Sequence, residues 1–197
     1  MSSDSAGQFS SGSLPIAGGF IYGALAYVVA FIATVGFLIL QRPETGEELQ
    51  NTYQFGSGTG AGGEMVLNIL GWIFYNAQTV PLQITGRDGT QITVNLLEEL
   101  GVSSPLVNSA VPAVVLLVFG IILAQRASAT SAESGVAAGA ALVVGYGVLA
   151  VAGALFFRVS EQGLTYQVQL SRAVVVVGIA YPVVGGAIGG LIRVALS

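Results

Sequence analysis

The sequence predicts an all-α integral membrane protein with four transmembrane helices, a short interfacial helix and a small β-hairpin in the first loop. Of the 197 residues, 53% are hydrophobic and only 8% are charged, against about 25% charged in soluble domains. A helix needs about 20 apolar residues to cross a bilayer core. Four stretches almost free of charge meet that length, at 16–40, 106–124, 136–157 and 173–192. They predict a multi-pass protein of the cell membrane, with one membrane domain over 15–197.

The amino acids that the chain lacks exclude several kinds of chemistry. Without Cys there is no disulfide, iron–sulfur cluster or reactive thiol. Without His the commonest metal ligand and general base is missing, so we expect no enzyme, no metal site and no cofactor. A net charge of −4 and six scattered Arg supply no basic patch for nucleic acid. The acidic, Lys-free composition is typical of a halophilic archaeon.

The first segment of the chain is polar and then becomes apolar. Residues 1–14, MSSDSAGQFSSGSL, carry no positive charge of the kind that starts a signal peptide, and they predict a disordered tail. Span 1 begins after Pro15, a residue favoured in the first helical turn, and ends before Pro43. Gly19 and Gly23 form a small-xxx-small pair, which predicts close helix packing.

The loop 41–105 is the extramembrane region with room for structure. It opens with acidic residues and continues into a Gly-rich segment, 56–63. This segment predicts a flexible linker. The apolar segment 65–77 is too short to span, and polar residues recur in it at helical spacing. It predicts a helix that lies at the interface or packs against the bundle, with a re-entrant segment as the rival. Its interfacial or partner-contact residues would be Trp72, Phe74, Tyr75 and Asn76.

A β-hairpin follows this helix in the predicted order of elements. Residues 80–84 and 92–96 alternate between apolar and polar, as half-buried strands do. The turn between them contains Asp88 and Gly89, a pair that is a strong signal for a tight hairpin.

Spans 2 and 3 are joined by the short connection 127–135, so we expect them to be antiparallel neighbours. The next short loop contains a strand-like stretch at 164–170, and span 4 follows. Two overlapping GxxxG registers make span 4 the helix that we expect to pack most tightly. Its packing residues are Gly185, Gly186, Gly189 and Gly190.

Asn108, Tyr146 and Tyr181 form the candidate polar site within the membrane. They could line a transport site, or they could serve hydrogen bonds between helices. Tyr181 with Pro182 could break span 4, as in discontinuous transporter helices, or form a packed kink. Orientation stays open, because four Arg in the first and third loops against two on the other side is a small bias for the positive-inside rule.

The block 71–77, GWIFYNA, resembles a family of small haloarchaeal four-span membrane proteins. That family has a GW-aliphatic-FYNA block in its first loop and no established activity, so it is a domain of unknown function. Its members often carry His after the block, where this chain has Gln78. The departure argues against a metal or acid–base role there, and the resemblance implies architecture and source.

Two functional hypotheses follow from this architecture. The leading one is a non-enzymatic membrane component that acts as a scaffold, an accessory subunit or an envelope protein. The alternative is a small oligomeric transporter or channel subunit that works around Asn108 and Tyr181. The expected partners are the lipid bilayer and either a second copy or another membrane protein.

Overall fold

Four helices in the structure are long and apolar enough to cross a membrane, which confirms the prediction of four long apolar helices. The computed structural model describes residues 13–57, 62–102 and 105–197. The long helices cover Ile16–Gln41, Leu106–Arg126, Ala132–Phe156 and Leu170–Ala195. Most of the predicted tail and residues 58–61 of the predicted linker lie outside the described residues, whereas Ser13 and Leu14 belong to the first helix.

The third and fourth long helices are composites of shorter elements. A turn interrupts the third, and a π-helix lies in the first half of the fourth. In chain order, the elements are α1 (Ser13–Gln41), α2 (Pro43–Ser57), α3 (Gly62–Ala77), β1 (Leu82–Thr85), β2 (Gln91–Val94), α4 (Leu96–Glu99), α5 (Pro105–Arg126), α6 (Ala132–Ala140), α7 (Val143–Phe156), β3 (Arg158–Glu161), β4 (Leu164–Val168), α8 (Leu170–Arg172), the π-helix (Ala173–Ala180) and α9 (Tyr181–Ala195).

The strands form one antiparallel sheet in the order β2–β1–β4–β3. The predicted hairpin is present, with Leu82 opposite Val94, and β1 pairs on its other edge with β4, where Leu82 lies opposite Val168. The all-α class was therefore too narrow, because the protein is 74% helical and carries a small sheet. The β1–β4 pairing brings the first and third loops to the same end of the bundle, which we call the sheet end.

Helix α2 occupies a stretch that the sequence analysis treated as an acidic loop. Pro43 is its first residue and Glu44 lies in its first turn, and both are favoured at a helix N-terminus. Thr45 and Leu49 of α2 line the same apolar cavity as Ile73 of α3. The helix thus depends on packing against α3, which a weakly apolar sequence does not reveal.

All six glycines predicted to pack helices lie at close approaches. A Cβ on Gly186 would stand 2.2 Å from the carbonyl oxygen of Gly139, and one on Gly190 would stand 1.9 Å from that of Gly135. Any side chain there would push α6 and α9 apart. For Gly19, Gly23, Gly185 and Gly189, the nearest atom of another helix would lie 2.9 Å or less from an added Cβ.

Candidate functional site

Helix α3 enters the sheet end of the bundle, and residues 71–78 are all buried. The indole N–H of Trp72 donates to the carbonyl oxygen of Phe157 at 2.9 Å. Phe157 directly follows α7, where the last carbonyl groups of a helix lack partners within it. The Tyr75 hydroxyl donates to the carbonyl oxygen of Ala150, within α7. Two side chains of α3 therefore fix it to the backbone of α7 and of Phe157, the residue that follows α7.

Aromatic rings fill the space between α3 and α1. The ring of Phe74 packs edge-on against Tyr27 and Phe31, with centroid distances of 5.1 and 5.4 Å. The hydroxyl oxygens of Tyr27 and Tyr75 are 3.1 Å apart. Burial, and then the neighbouring Tyr27, raise the pKa of the Tyr75 hydroxyl far above its usual range. Tyr75 therefore keeps its proton and remains a hydrogen-bond donor.

Gly71 allows this docking because it lies directly on the ring of Phe157. A Cβ at Gly71 would stand 2.3 Å from the Cγ atom of that ring, far inside van der Waals contact. The first residue of the GWIFYNA block thus serves close packing, and the next residue, Trp72, binds the backbone of the same Phe157.

The end of α3 makes two further links through amide side chains. The Oδ1 atom of Asn76 accepts the backbone N–H of Leu97 at 3.0 Å, which satisfies a donor in the first turn of α4. The Oε1 atom of Gln78 accepts the hydroxyl of Tyr146, in α7, at 2.9 Å. The predicted contact residues Trp72, Phe74, Tyr75 and Asn76 are all buried, and the contacts described here lie within the chain.

Asn108 is a buried polar side chain of α5 whose hydrogen-bonding groups are unused. It is fully buried, and neither its amide oxygen nor its amide nitrogen has a partner among the described residues. The Nε2 atom of Gln78 is also buried without a partner among them. An unpaired buried group costs about 1–3 kcal/mol, so such groups call for a structural or functional explanation.

Tyr181 begins α9 directly after the π-helix, and its hydroxyl is hydrogen-bonded to Ser109 of α5. Pro182 follows, and a proline within a helix lacks its N–H and crowds the preceding turn. The turn that Pro182 crowds belongs to the π-helix. The fourth long helix nevertheless remains continuous over Leu170–Ala195. Tyr181 thus lies at the α5–α9 contact beside Ser109, whereas Tyr146 is bonded to Gln78, directly after α3.

Two cavities adjoin this contact. The α5–α9 groove has a volume of about 470 Å³. Its walls include Ala110, Ala113 and Leu117 of α5, Val176 and Ala180 of the π-helix, and Ile188 of α9. The Arg172 pocket has a volume of about 200 Å³ and is lined by Asn76, Thr79, Pro81, Asn95, Ser109 and Arg172. The first cavity is apolar, and the second is polar and carries one cation.

Sequence reasoning missed the roles of Gln78 and Arg172. Gln78 ends a largely apolar block, and its polarity within a buried block was a usable signal for an internal partner. Arg172 offered no such signal, because its place beside Ser109 depends on how α5 meets the fourth long helix. Within the described ranges, no group of three or more Asp or Glu lies close enough to hold a metal.

No curated protein and no solved structure matches this chain. The sequence model of one protein family, described as a family of unknown function (DUF7978), matches residues 1–197. A match of that extent establishes membership. The chain, with its four long apolar helices and docked α3, belongs to the DUF7978 family, whose function is unknown.

Proposed function

We propose that this protein is a non-enzymatic, multi-pass protein of the cell membrane that acts as a scaffold, an accessory subunit or an envelope component. The outer surfaces of its long helices support the membrane location. Large apolar side chains point outward there, with Leu106 81% exposed, Phe156 62% and Leu155 60%. A belt of this kind is unfavourable in water and favourable in hydrocarbon.

The observation that carries the scaffold role is the rigid attachment of the sheet end to the bundle. Trp72 and Gln78 bind α3 to Phe157 and Tyr146, and the β1–β4 pairing ties the first loop to the third. These links come from separate parts of the chain, so they hold the extramembrane surface in one arrangement. A surface of fixed shape suits a stable contact with a partner.

We place α3 at the membrane boundary with its two ends in different surroundings. Glu64, in its first turn, is exposed, whereas Phe74 and Tyr75 are fully buried near its end. The charged end suits the headgroup region, and the aromatic end lies within the bundle. In this arrangement, α3 is an interfacial helix at its beginning and a core helix at its end.

The partners that we propose are the lipid bilayer and either a second copy or another membrane protein, with no nucleic acid. The source that we propose is a haloarchaeon. Its support is the net charge of −4 and the use of Arg alone as basic residue, since an acidic surface retains water at high salt.

A small oligomeric transporter or channel subunit is the second candidate function. The buried amide of Asn108, with two unpartnered polar atoms, favours it, because unpaired polar groups inside a membrane often mark a substrate path. The π-helix beside Tyr181 adds to it, since such segments are frequent at functional sites.

Purification from native membranes in mild detergent, with mass spectrometry of the co-purifying proteins, tests the scaffold role. We expect a stoichiometric protein partner. Recovery of a homo-oligomer alone would instead favour the transporter, and flux through reconstituted vesicles would then decide.

Two variants separate the same hypotheses at the residue level. Asn108→Ala should leave partner binding intact in a scaffold and should abolish flux in a transporter, with a normal unfolding midpoint in both cases. Trp72→Phe, which removes the link between α3 and Phe157, should weaken partner binding in a scaffold. Partner binding that depends on Asn108 and not on Trp72 would contradict the scaffold role.

A further inference from the structure

The α5–α9 groove has α5 on one side and the π-helix with α9 on the other. Small residues such as Ala110, Ala113 and Ala180 line both walls, which keeps the helices close while leaving room between them. From Val176 to Ile188 the groove follows the fourth long helix for about 18 Å at about 1.5 Å per residue. One leaflet of a bilayer core is about 15 Å thick, so the groove is as long as one leaflet.

The Arg172 pocket lies at the sheet end of this groove. Ser109, which lines the pocket, directly precedes Ala110 of the groove, and Arg172 stands one helical turn before Val176. The hydrogen bond between Ser109 and Tyr181 joins the two walls where the cavities meet. The polar pocket therefore adjoins the sheet end of the apolar groove, so that a polar part and an apolar part lie next to each other.

The polar pocket suits an anion. The guanidinium group of Arg172 is exposed, and it makes no hydrogen bond or ion pair with any described residue. Its neighbours in the pocket, such as Asn95 and Thr79, are neutral, and no carboxylate lines the pocket. Guanidinium groups bind phosphate through paired, charge-assisted hydrogen bonds.

We propose that the groove and the pocket together bind one anionic membrane lipid. Its phosphodiester lies against Arg172, and one of its hydrocarbon chains fills the α5–α9 groove. The proposal rests on the membrane location proposed above. A transmembrane helix of a partner would need a surface about 30 Å long, whereas this groove covers one leaflet, so a lipid chain is the occupant that fits.

Native mass spectrometry of the full chain in a neutral detergent tests the proposal. The probes are phosphatidylglycerol and phosphatidylcholine with identical chains, which differ in headgroup charge. We expect one phosphatidylglycerol to stay bound, with an affinity about tenfold above that of phosphatidylcholine, as one charge-assisted contact provides. Equal, multiple and weak binding of both lipids would overturn the proposal.

Matched variants assign the two parts of the site. Arg172→Gln should lower phosphatidylglycerol affinity to that of phosphatidylcholine, whereas Arg158→Gln, an exposed Arg on β3 outside the pocket, should not. Ala180→Phe should fill the groove and weaken both lipids about tenfold. Ala152→Phe places the same ring on an exposed site of α7 outside the groove and should change neither. Equal effects within a pair would overturn the assignment.

Additional readouts keep the outcomes distinct. Ala110→Phe fills the groove from the other wall if Ala180→Phe fails to fold, as judged by its unfolding midpoint. A dimer that blocks lipid binding would make the groove an interface between copies and overturn the proposal. Resistance of the chain to alkaline extraction from membranes tests the membrane location separately. An integral chain without selective lipid binding therefore refutes the lipid site alone.

Discussion

Two interfaces inside the bundle hold helices together by opposite means. At the α6–α9 interface, side chains are missing, and a Cβ on Gly139 would stand 1.9 Å from the carbonyl oxygen of Gly186. At the α3–α7 interface, the large side chains of Trp72, Tyr75 and Gln78 bind carbonyl and hydroxyl groups. The first interface cannot accommodate an added side chain. The second depends on side-chain hydrogen bonds that substitutions can remove one at a time.

This difference predicts how each interface fails. Backbone contact leaves no way to relax, so an added methyl group must separate the helices. At the α3–α7 interface, several side-chain hydrogen bonds each contribute part of the stability, so the loss of one leaves the others in place. The following substitutions test this contrast, beginning with the largest effect.

Gly139→Ala should have the largest effect. The new Cβ would overlap the backbone of Gly186, and we expect a loss of about 3 kcal/mol in the free energy of unfolding, at the upper end of overpacking costs. Thermal unfolding in detergent, followed by circular dichroism, measures it. Gly36→Ala is the matched control, because nothing lies within 4 Å of its added Cβ, and it should shift stability by at most about 1 kcal/mol. Similar losses for both would disprove the role of close backbone contact.

Tyr75→Phe should destabilise the α3–α7 interface by about 1–2 kcal/mol, since it leaves Tyr27 without its hydroxyl partner and removes a donor to Ala150. Trp72 is the only tryptophan in the chain, so its fluorescence reports directly on the release of α3 during denaturation. Tyr22→Phe is the control, because Tyr22 is half-buried and makes no hydrogen bond with the described residues. If Tyr75→Phe lowered the denaturation midpoint by no more than Tyr22→Phe does, the assignment would be contradicted.

Gln78 and Tyr146 should show a coupling of about 1 kcal/mol in a double-mutant cycle. Each single variant, Gln78→Met or Tyr146→Phe, breaks the 2.9 Å hydrogen bond and leaves a buried polar group behind. The double variant removes both groups and should cost less than the sum of the singles. Strict additivity in the denaturation midpoints would mean that this hydrogen bond contributes nothing to the docking of α3.

A substitution in the hairpin turn should have the smallest effect on stability, and that effect should depend on pH. The hydroxyl and then the backbone N–H of Thr90 lower the pKa of Asp88, from 2.6 and 3.0 Å. A lowered pKa in the folded state contributes stability above the unfolded value of about 4, and this stability is lost as the pH falls below it. We expect Thr90→Val to raise the pKa of Asp88 in an NMR titration, and Thr93→Val, exposed on β2, to leave it unchanged.

The sequence predicted the elements that local patterns define. Four long apolar helices appear where uninterrupted apolar stretches predicted them, and the hairpin lies around the predicted Asp88 and Gly89 turn. Both signals lie within a few residues of each other along the chain. For that reason, neither required knowledge of what the segments pack against.

The sequence did not predict features that depend on distant partners. Strand β1 pairs with β4 across two long helices, and no local pattern records such a pairing. The sequence left open whether the helix at 65–77 lies at the interface or packs against the bundle. The burial of residues 71–78 depends on bonds to Phe157 and Tyr146, which are far away along the chain. The Arg172 pocket likewise exists only because α5 and the fourth long helix meet beside α3.

The pairing of β1 with β4 has a consequence for biosynthesis. Ribosomes make about 5–20 residues per second, so about 4–16 s separate the synthesis of Thr85 from that of Leu164. Throughout that interval one edge of β1 has no partner, and an open strand edge can pair with other chains. Newly made copies are therefore most prone to aggregation before β4 emerges, and slowing translation between these strands should increase the fraction of copies that aggregates.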